Sequence, residues 1–171
     1  AVVARFVYGT RANVPDYVVT PIEGTSSFLT SRVVYNHLGS PAAIVRVDTG
    51  AILQQLSYDE FGRILPDGDT NPGFQPFGFA GGLYDPDTGF VRFGSRDYDP
   101  LIGRWTQKDP ILFGGRSTNL YAYTLLDPIN LYDLDGETWW EIGGAVVGGI
   151  IGGVAGTFVG PGAGTALGAA G

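Results

Sequence analysis

Cysteine is absent from the 171 residues, which excludes a disulfide framework and thiolate metal sites. Histidine occurs once, at His37, so neither a Ser-His-Asp triad nor a His-rich metal centre can be built. Basic residues are scarce, 10 against 17 acidic, and a net charge of −7 argues against a phosphate-backbone partner. No nucleic acid, metal or cofactor is therefore expected. Methionine is missing even at position 1, which reads as a fragment or a processed product. The opening Ala1-Val2-Val3-Ala4-Arg5 has neither a basic n-region nor a long apolar run, so no signal peptide is read there. Charge is also missing from one end. Arg116 is the last basic residue, the acids Asp127, Asp133, Asp135, Glu137 and Glu141 follow it, and Ile142 to Gly171 carries no charge. That change of composition divides the chain into a region over 1–136 and a tail over 137–171.

The first region reads as mainly β. Val2–Tyr8, Phe28–Tyr35, Ala42–Asp48 and Ala51–Tyr58 are short runs rich in Val, Ile, Tyr and Phe, separated by Gly, Pro, Asn and Asp. Asp48-Thr49-Gly50 supplies a tight hairpin, since Gly50 tolerates positive φ. The device recurs at Asp85-Pro86-Asp87-Thr88-Gly89 and at Asp99-Pro100-Leu101-Ile102-Gly103. A degenerate repeat emerges: Tyr58-Asp59 with Gly62-Arg63, Tyr84-Asp85 with Gly89, and Tyr98-Asp99 with Gly103-Arg104. In each unit an aromatic residue ends a strand, an Asp side chain caps the turn, and a Gly releases the chain. Units this short cannot bury an apolar face alone, so neighbours must stack into a sheet.

The run from Gly82 to Pro100, then Gly103-Arg104-Trp105, Asp109-Pro110 and Asn119-Leu120-Tyr121-Ala122-Tyr123, resembles the signature of the RHS repeat-associated core, a YD-repeat family. That family covers polymorphic toxins, toxin-complex shells and, more remotely, teneurins. The resemblance spans roughly residues 32–136. It implies a spiralling β-sheet wound into a hollow shell, of which this part is the C-terminal plug. It also implies a secreted or cell-surface bacterial protein that encloses its own C-terminal toxin, with a secretion apparatus and an immunity protein as further partners. The alternative, from another class, is a non-catalytic cell-surface adhesion or recognition scaffold.

The resemblance also assigns residues. Arg96-Asp97 and an Asp twelve positions on, Asp109, match an aspartyl-protease-like self-cleaving site residue by residue. Two close carboxylates do not readily both ionise, so one holds a proton while the other activates water. Spacing alone does not join them: a hairpin centred near Leu101 would pair Asp97 with Trp105. The cleavage region is Asp133, Asp135, Gly136, Glu137 and Thr138. Here the sequence departs from the usual Asp-Pro-x-Gly followed by a large apolar residue, after which the cut falls in relatives, since Leu134 replaces Pro and Glu137 takes the apolar position. A pocket shaped for an apolar side chain would have to desolvate that carboxylate.

In the tail, Gly144, Gly148, Gly152, Gly156, Gly160, Gly164 and Gly168 recur at every fourth residue. On a helix they form one smooth ridge along which a second helix can approach. Residues 142–160 are uncharged and near the length that spans a bilayer, with Trp139 and Trp140 placed as an interfacial anchor. The expectation is a short glycine-zipper helix in contact with a membrane; the alternatives are a linker or a segment packed inside the shell. Two weaker signals are set aside. Asp67-Gly68-Asp69-Thr70-Asn71 opens like a calcium loop but lacks the turn glycine and the bidentate Glu, and is read as a solvated loop. Asn36-His37-Leu38-Gly39-Ser40-Pro41 matches a family segment whose role is structural.

Overall fold

The computed structural model describes residues 4–11, 13–112, 117–137 and 139–141. The expected glycine-zipper helix, its membrane contact through 142–160 and Thr138 lie outside them. The described residues are mainly β, with 3-10 turns at Phe79–Gly81 and Thr124–Leu126 and no α-helix among them. Strands β1 (Arg5–Val7), β2 (Tyr17–Pro21), β3 (Phe28–Tyr35), β4 (Pro41–Arg46), β5 (Ile52–Tyr58) and β6 (Ile64–Asp69) form an antiparallel sheet in chain order. A second sheet has the order β10-β9-β8-β7, from β7 (Leu83–Tyr84), β8 (Val91–Phe93), β9 (Arg96–Asp99) and β10 (Arg104–Trp105). Last comes a hairpin of β11 (Leu131–Asp133) and β12 (Trp139–Glu141). Pairing therefore continues past 136, and residues 139–141 join the β-region. No helix among the described residues is long and apolar enough to cross a membrane.

The repeat chemistry is visible atom by atom. Asp59 Oδ1 accepts the N–H groups of Phe61 (3.0 Å) and Arg63 (2.9 Å). Asp85 Oδ1 does the same for Asp87 (3.0 Å), and Asp99 Oδ1 for Leu101 (2.9 Å). Each aspartate thus satisfies turn donors that would otherwise face water. Gly89 closes its turn at φ +75°, a conformation that a side chain would strain. Two expectations are corrected. Asp67, Gly68 and Asp69 end β6 instead of forming a solvated loop, and Asp69 accepts from Gln54 Nε2 at 2.9 Å. The hairpin at Leu101 pairs Asp99 with Arg104 and Tyr98 with Trp105, one residue away from the expected register. The loop holds Pro100 to Gly103, an even count, and a slip of one residue moves every side chain to the other face.

Two cores hold the sheets together. Val14, Val18, Val33 and Ile44 pack beneath the larger sheet, with Phe6, Tyr35 and Phe74 against them. The second core is aromatic: Phe79, Phe93, Tyr98, Trp105 and Tyr123 meet with ring centroids 4.4–6.3 Å apart. His37 and its neighbours tie the two regions, as a structural role would require. His37 Nε2 lies 3.1 Å from the Ile129 carbonyl, and Ser40 Oγ accepts the Ala80 N–H at 2.8 Å.

Candidate functional site

The aromatic core supports a buried guanidinium. Strand β9 alternates, so Arg96 and Tyr98 face inward while Asp97 and Asp99 are only partly covered. The Arg96 side chain is 3 % exposed and lies over the Trp105 ring, its central carbon 4.1 Å from the ring centroid. Its Nη2 reaches Asp109 Oδ2 at 3.2 Å and Asp133 Oδ2 at 3.4 Å. Its Nε donates to the Gly136 carbonyl. Two chain segments, one at Asp109 and one at 133–136, thus end on one cation.

Gly136 sits in a turn that docks backbone to backbone on the β8–β9 hairpin. Ser95 N donates to the Asp135 carbonyl at 3.0 Å, and Ser95 Oγ lies 3.1 Å from both the Asp135 and Gly136 carbonyls. This approach needs glycine on each side. A Cβ on Gly136 would come within 2.6 Å of the Phe93 carbonyl, and one on Gly94 within 2.4 Å of the Asp135 carbonyl. Within the turn, Asp133 Oδ1 accepts the N–H groups of Gly136 (2.8 Å) and Glu137 (3.2 Å), while Asp135 Oδ1 accepts from Glu137 at 2.8 Å. A cavity of about 20 Å³ opens beside it, lined by Arg96, Asp109, Asp133 and Glu137 among others. It has room for about one water.

Burial pushes the Asp133 carboxyl up to about 7; the neighbouring Asp135 pushes the same way, and Arg96 and the Gly136 N–H oppose it. Burial likewise lowers Arg96 from its ordinary value, against the pull of Asp109, Asp133 and Asp135. The Asp133 shift has a definite sign. An acid whose folded pKa exceeds its unfolded value binds more protons when folded, so its contribution to stability falls as pH rises. The loss should run from about pH 4 to 7, by up to about 1.4 kcal/mol per pH unit. Melting temperature should therefore fall from pH 5 to 7 more steeply in the wild type than in Asp133→Asn. Equal slopes would show that the carboxyl is not held protonated.

Of the residues expected at the site, Arg96, Asp109, Asp133 and Gly136 come together, with Glu137 on the cavity wall and Asp135 in the turn. Asp97 does not join them. Its carboxylate lies on the other side of β9, paired with Arg92 through Nε and, at 2.8 Å, through Nη2. Thr106 N and Oγ1 both donate to the Asp97 carbonyl at 2.9 Å. Ser95 was not among the expected residues. The spacing Phe93-Gly94-Ser95-Arg96 announces a two-residue turn, but no local pattern links it to a turn forty positions on.

A family model described as Teneurin YD-shell matches residues 3–136. The chain belongs to the teneurin YD-shell family. This YD-shell segment is 40% identical to human Teneurin-4 over 105 residues, covering 57% of the chain and 4% of that protein. It is 36% identical over 106 residues to YibJ of Escherichia coli (strain K12), covering 58% of the chain and 44% of YibJ. The crystal structure of TcdB2-TccC3 shares the fold at a TM-score of 0.60 and 25% identity, over 70% of this chain and 6% of that one. A Photorhabdus luminescens Tc holotoxin pore carrying a TccC3 mutation gives 0.61 at 22% identity, over 81% of this chain and 6% of that one. The YD-shell segment therefore spans a small part of most of these relatives.

Proposed function

We propose that this segment closes the C-terminal end of a YD shell that encloses its own downstream region, and that it cuts the chain between Gly136 and Thr138. One observation carries the reading: buried Arg96 gathers Asp109, Asp133 and the Gly136 carbonyl. Two residues expected to act and the turn expected to be cut thus meet at one point. A cut there frees residues 137–171 and whatever follows them. The uncharged stretch 142–171 is then the front of the cargo, kept from water until release. The resemblance to toxin-bearing relatives makes that cargo a toxin and the whole protein secreted or cell-surface. The fold is also shared by a crystal structure of TcdB2-TccC3 without hypervariable C-terminal region, which fits a separable end.

Asp109 is the base in this reading, with Arg96 fixing its orientation. Asp97 works from the far side of β9, where its pair with Arg92 holds the strand that presents Arg96. The test is the full-length protein, tagged at both ends and run on a denaturing gel. Wild type should give two bands and Asp109→Asn one, with Arg96 left paired to Asp133. A single wild-type band would end the self-cleavage reading and favour the non-catalytic recognition scaffold.

A further inference from the structure

The terminal hairpin sets the direction in which the chain leaves it. Strands β11 and β12 are antiparallel, with Asp133 opposite Trp139 and Leu131 opposite Glu141. The chain beyond Glu141 is therefore aimed past Asn130 at Ile129, about 7 Å further along the strand direction. Ile129 is 50 % exposed and forms one wall of a groove of about 350 Å³. Its carbonyl meets His37 Nε2 at 3.1 Å, so the groove lies where the terminal segment touches the region of the larger sheet. Leu56 and Tyr58 of β5 line it, together with Leu38 and Phe79.

We propose that this groove is a docking site for the chain's own next segment, Ile142-Gly143-Gly144-Ala145-Val146-Val147. The docking does not depend on a cut. Its consequence does, and rests on the self-cleavage reading above: a fragment freed at the terminal turn stays held by its first residues. Release of the downstream region then takes two events, breaking the chain and emptying the groove. The docked segment also keeps the start of the uncharged stretch away from lipid and water until the second event.

Several features favour this occupant over others. The segment carries no charge, so apolar walls can cover it without desolvating an ion. Asp59 and Glu60 also line the groove, which disfavours an acidic peptide or a phosphate-bearing ligand there. Gly143 and Gly144 come where the chain must pass Ile129 and Pro128, and lacking side chains they allow a close approach. The Tyr58 hydroxyl is buried and has no hydrogen-bond partner among the described residues. A backbone carbonyl of an inserted segment would accept its proton, which a purely apolar ligand could not do.

The absence of cysteine lets introduced thiols report the docking. Ser57 is exposed and lines the groove, whereas Val47 is exposed and does not line it. Full-length protein carrying Ser57→Cys with Ala145→Cys, or with Val146→Cys, is mildly oxidised and run on non-reducing and reducing gels. An Asp109→Asn background is intact whether or not the wild type cuts itself. In that background the Ser57 pairs should close a disulfide about tenfold faster, or more, than Val47→Cys with the same partners, because docking raises the local thiol concentration. Ile129→Arg should bring the Ser57 pairs down to the Val47 rate. Equal rates at Ser57 and Val47, or a Ser57 rate unmoved by Ile129→Arg, would overturn the docking. So would disulfide-linked dimers in place of the internal link, which would put a second copy in the groove. Cutting is read separately: one reduced band from the wild-type background removes the release consequence and leaves the docking standing.

Discussion

Replacing Arg96 with leucine should lower the stability of the chain by about 3–5 kcal/mol, because it leaves buried carboxyls without their cation. Asp133 is 3 % exposed and Asp109 has a side chain 13 % exposed, so bulk water cannot replace the guanidinium at either. The Gly136 carbonyl loses its Nε donor in the same substitution. Lysine should restore only part of this, since a point charge cannot span two carboxylates and a carbonyl as the planar fork does. Denaturant unfolding of wild type, Arg96→Leu and Arg96→Lys measures both effects. A loss below about 1 kcal/mol, the range of exposed ion pairs, would mean that the network does not hold the turn.

Truncating Trp105 to alanine should cost about 3–5 kcal/mol. The ring is 2 % exposed and packs against Phe93, Tyr98 and Tyr123. It is also the surface on which the Arg96 guanidinium lies. Trp105→Ala should therefore disturb the terminal turn as well as the core, seen as faster hydrogen exchange at the amides of Gly136 and Glu137. Trp105→Phe keeps a ring under the cation and should lose less on both measures. Exchange unchanged in Trp105→Ala would separate the aromatic core from the site.

Much of this fold is legible in the sequence. Phe28–Tyr35 was expected as a strand and is one at the same bounds, because its β-rich run is long and its breakers are plain. The Asp-and-Gly turns could be read because their chemistry is local. Strands β2 and β6 were not foreseen. Pro21 ends one, Pro66 and Gly68 interrupt the other, and most β6 residues are exposed or half-buried, so neither shows a clean apolar alternation.

The site was legible mainly through family resemblance. Arg96, Asp109 and Gly136 were named from it, and the structure explains why spacing could not name them: their partners lie in segments 13 to 40 positions away. The opposed faces of Arg96 and Asp97, in contrast, follow from strand alternation alone. Asp133 was placed in the segment to be cut, not among the acids. Its burial and its contact with Arg96, 37 positions away in sequence, were not foreseen.

The central claim is that the chain cuts itself, and the concentration dependence of cutting tests it most directly. Purified full-length protein, held unfolded in denaturant, is brought into folding buffer at a series of dilutions spanning a hundredfold. Fragment formation is then followed by intact mass. An intramolecular reaction in one folded chain predicts the same first-order rate at every dilution, and no reaction in Asp109→Asn. A rate proportional to protein concentration would contradict the account, as would cutting of Asp109→Asn at the wild-type rate.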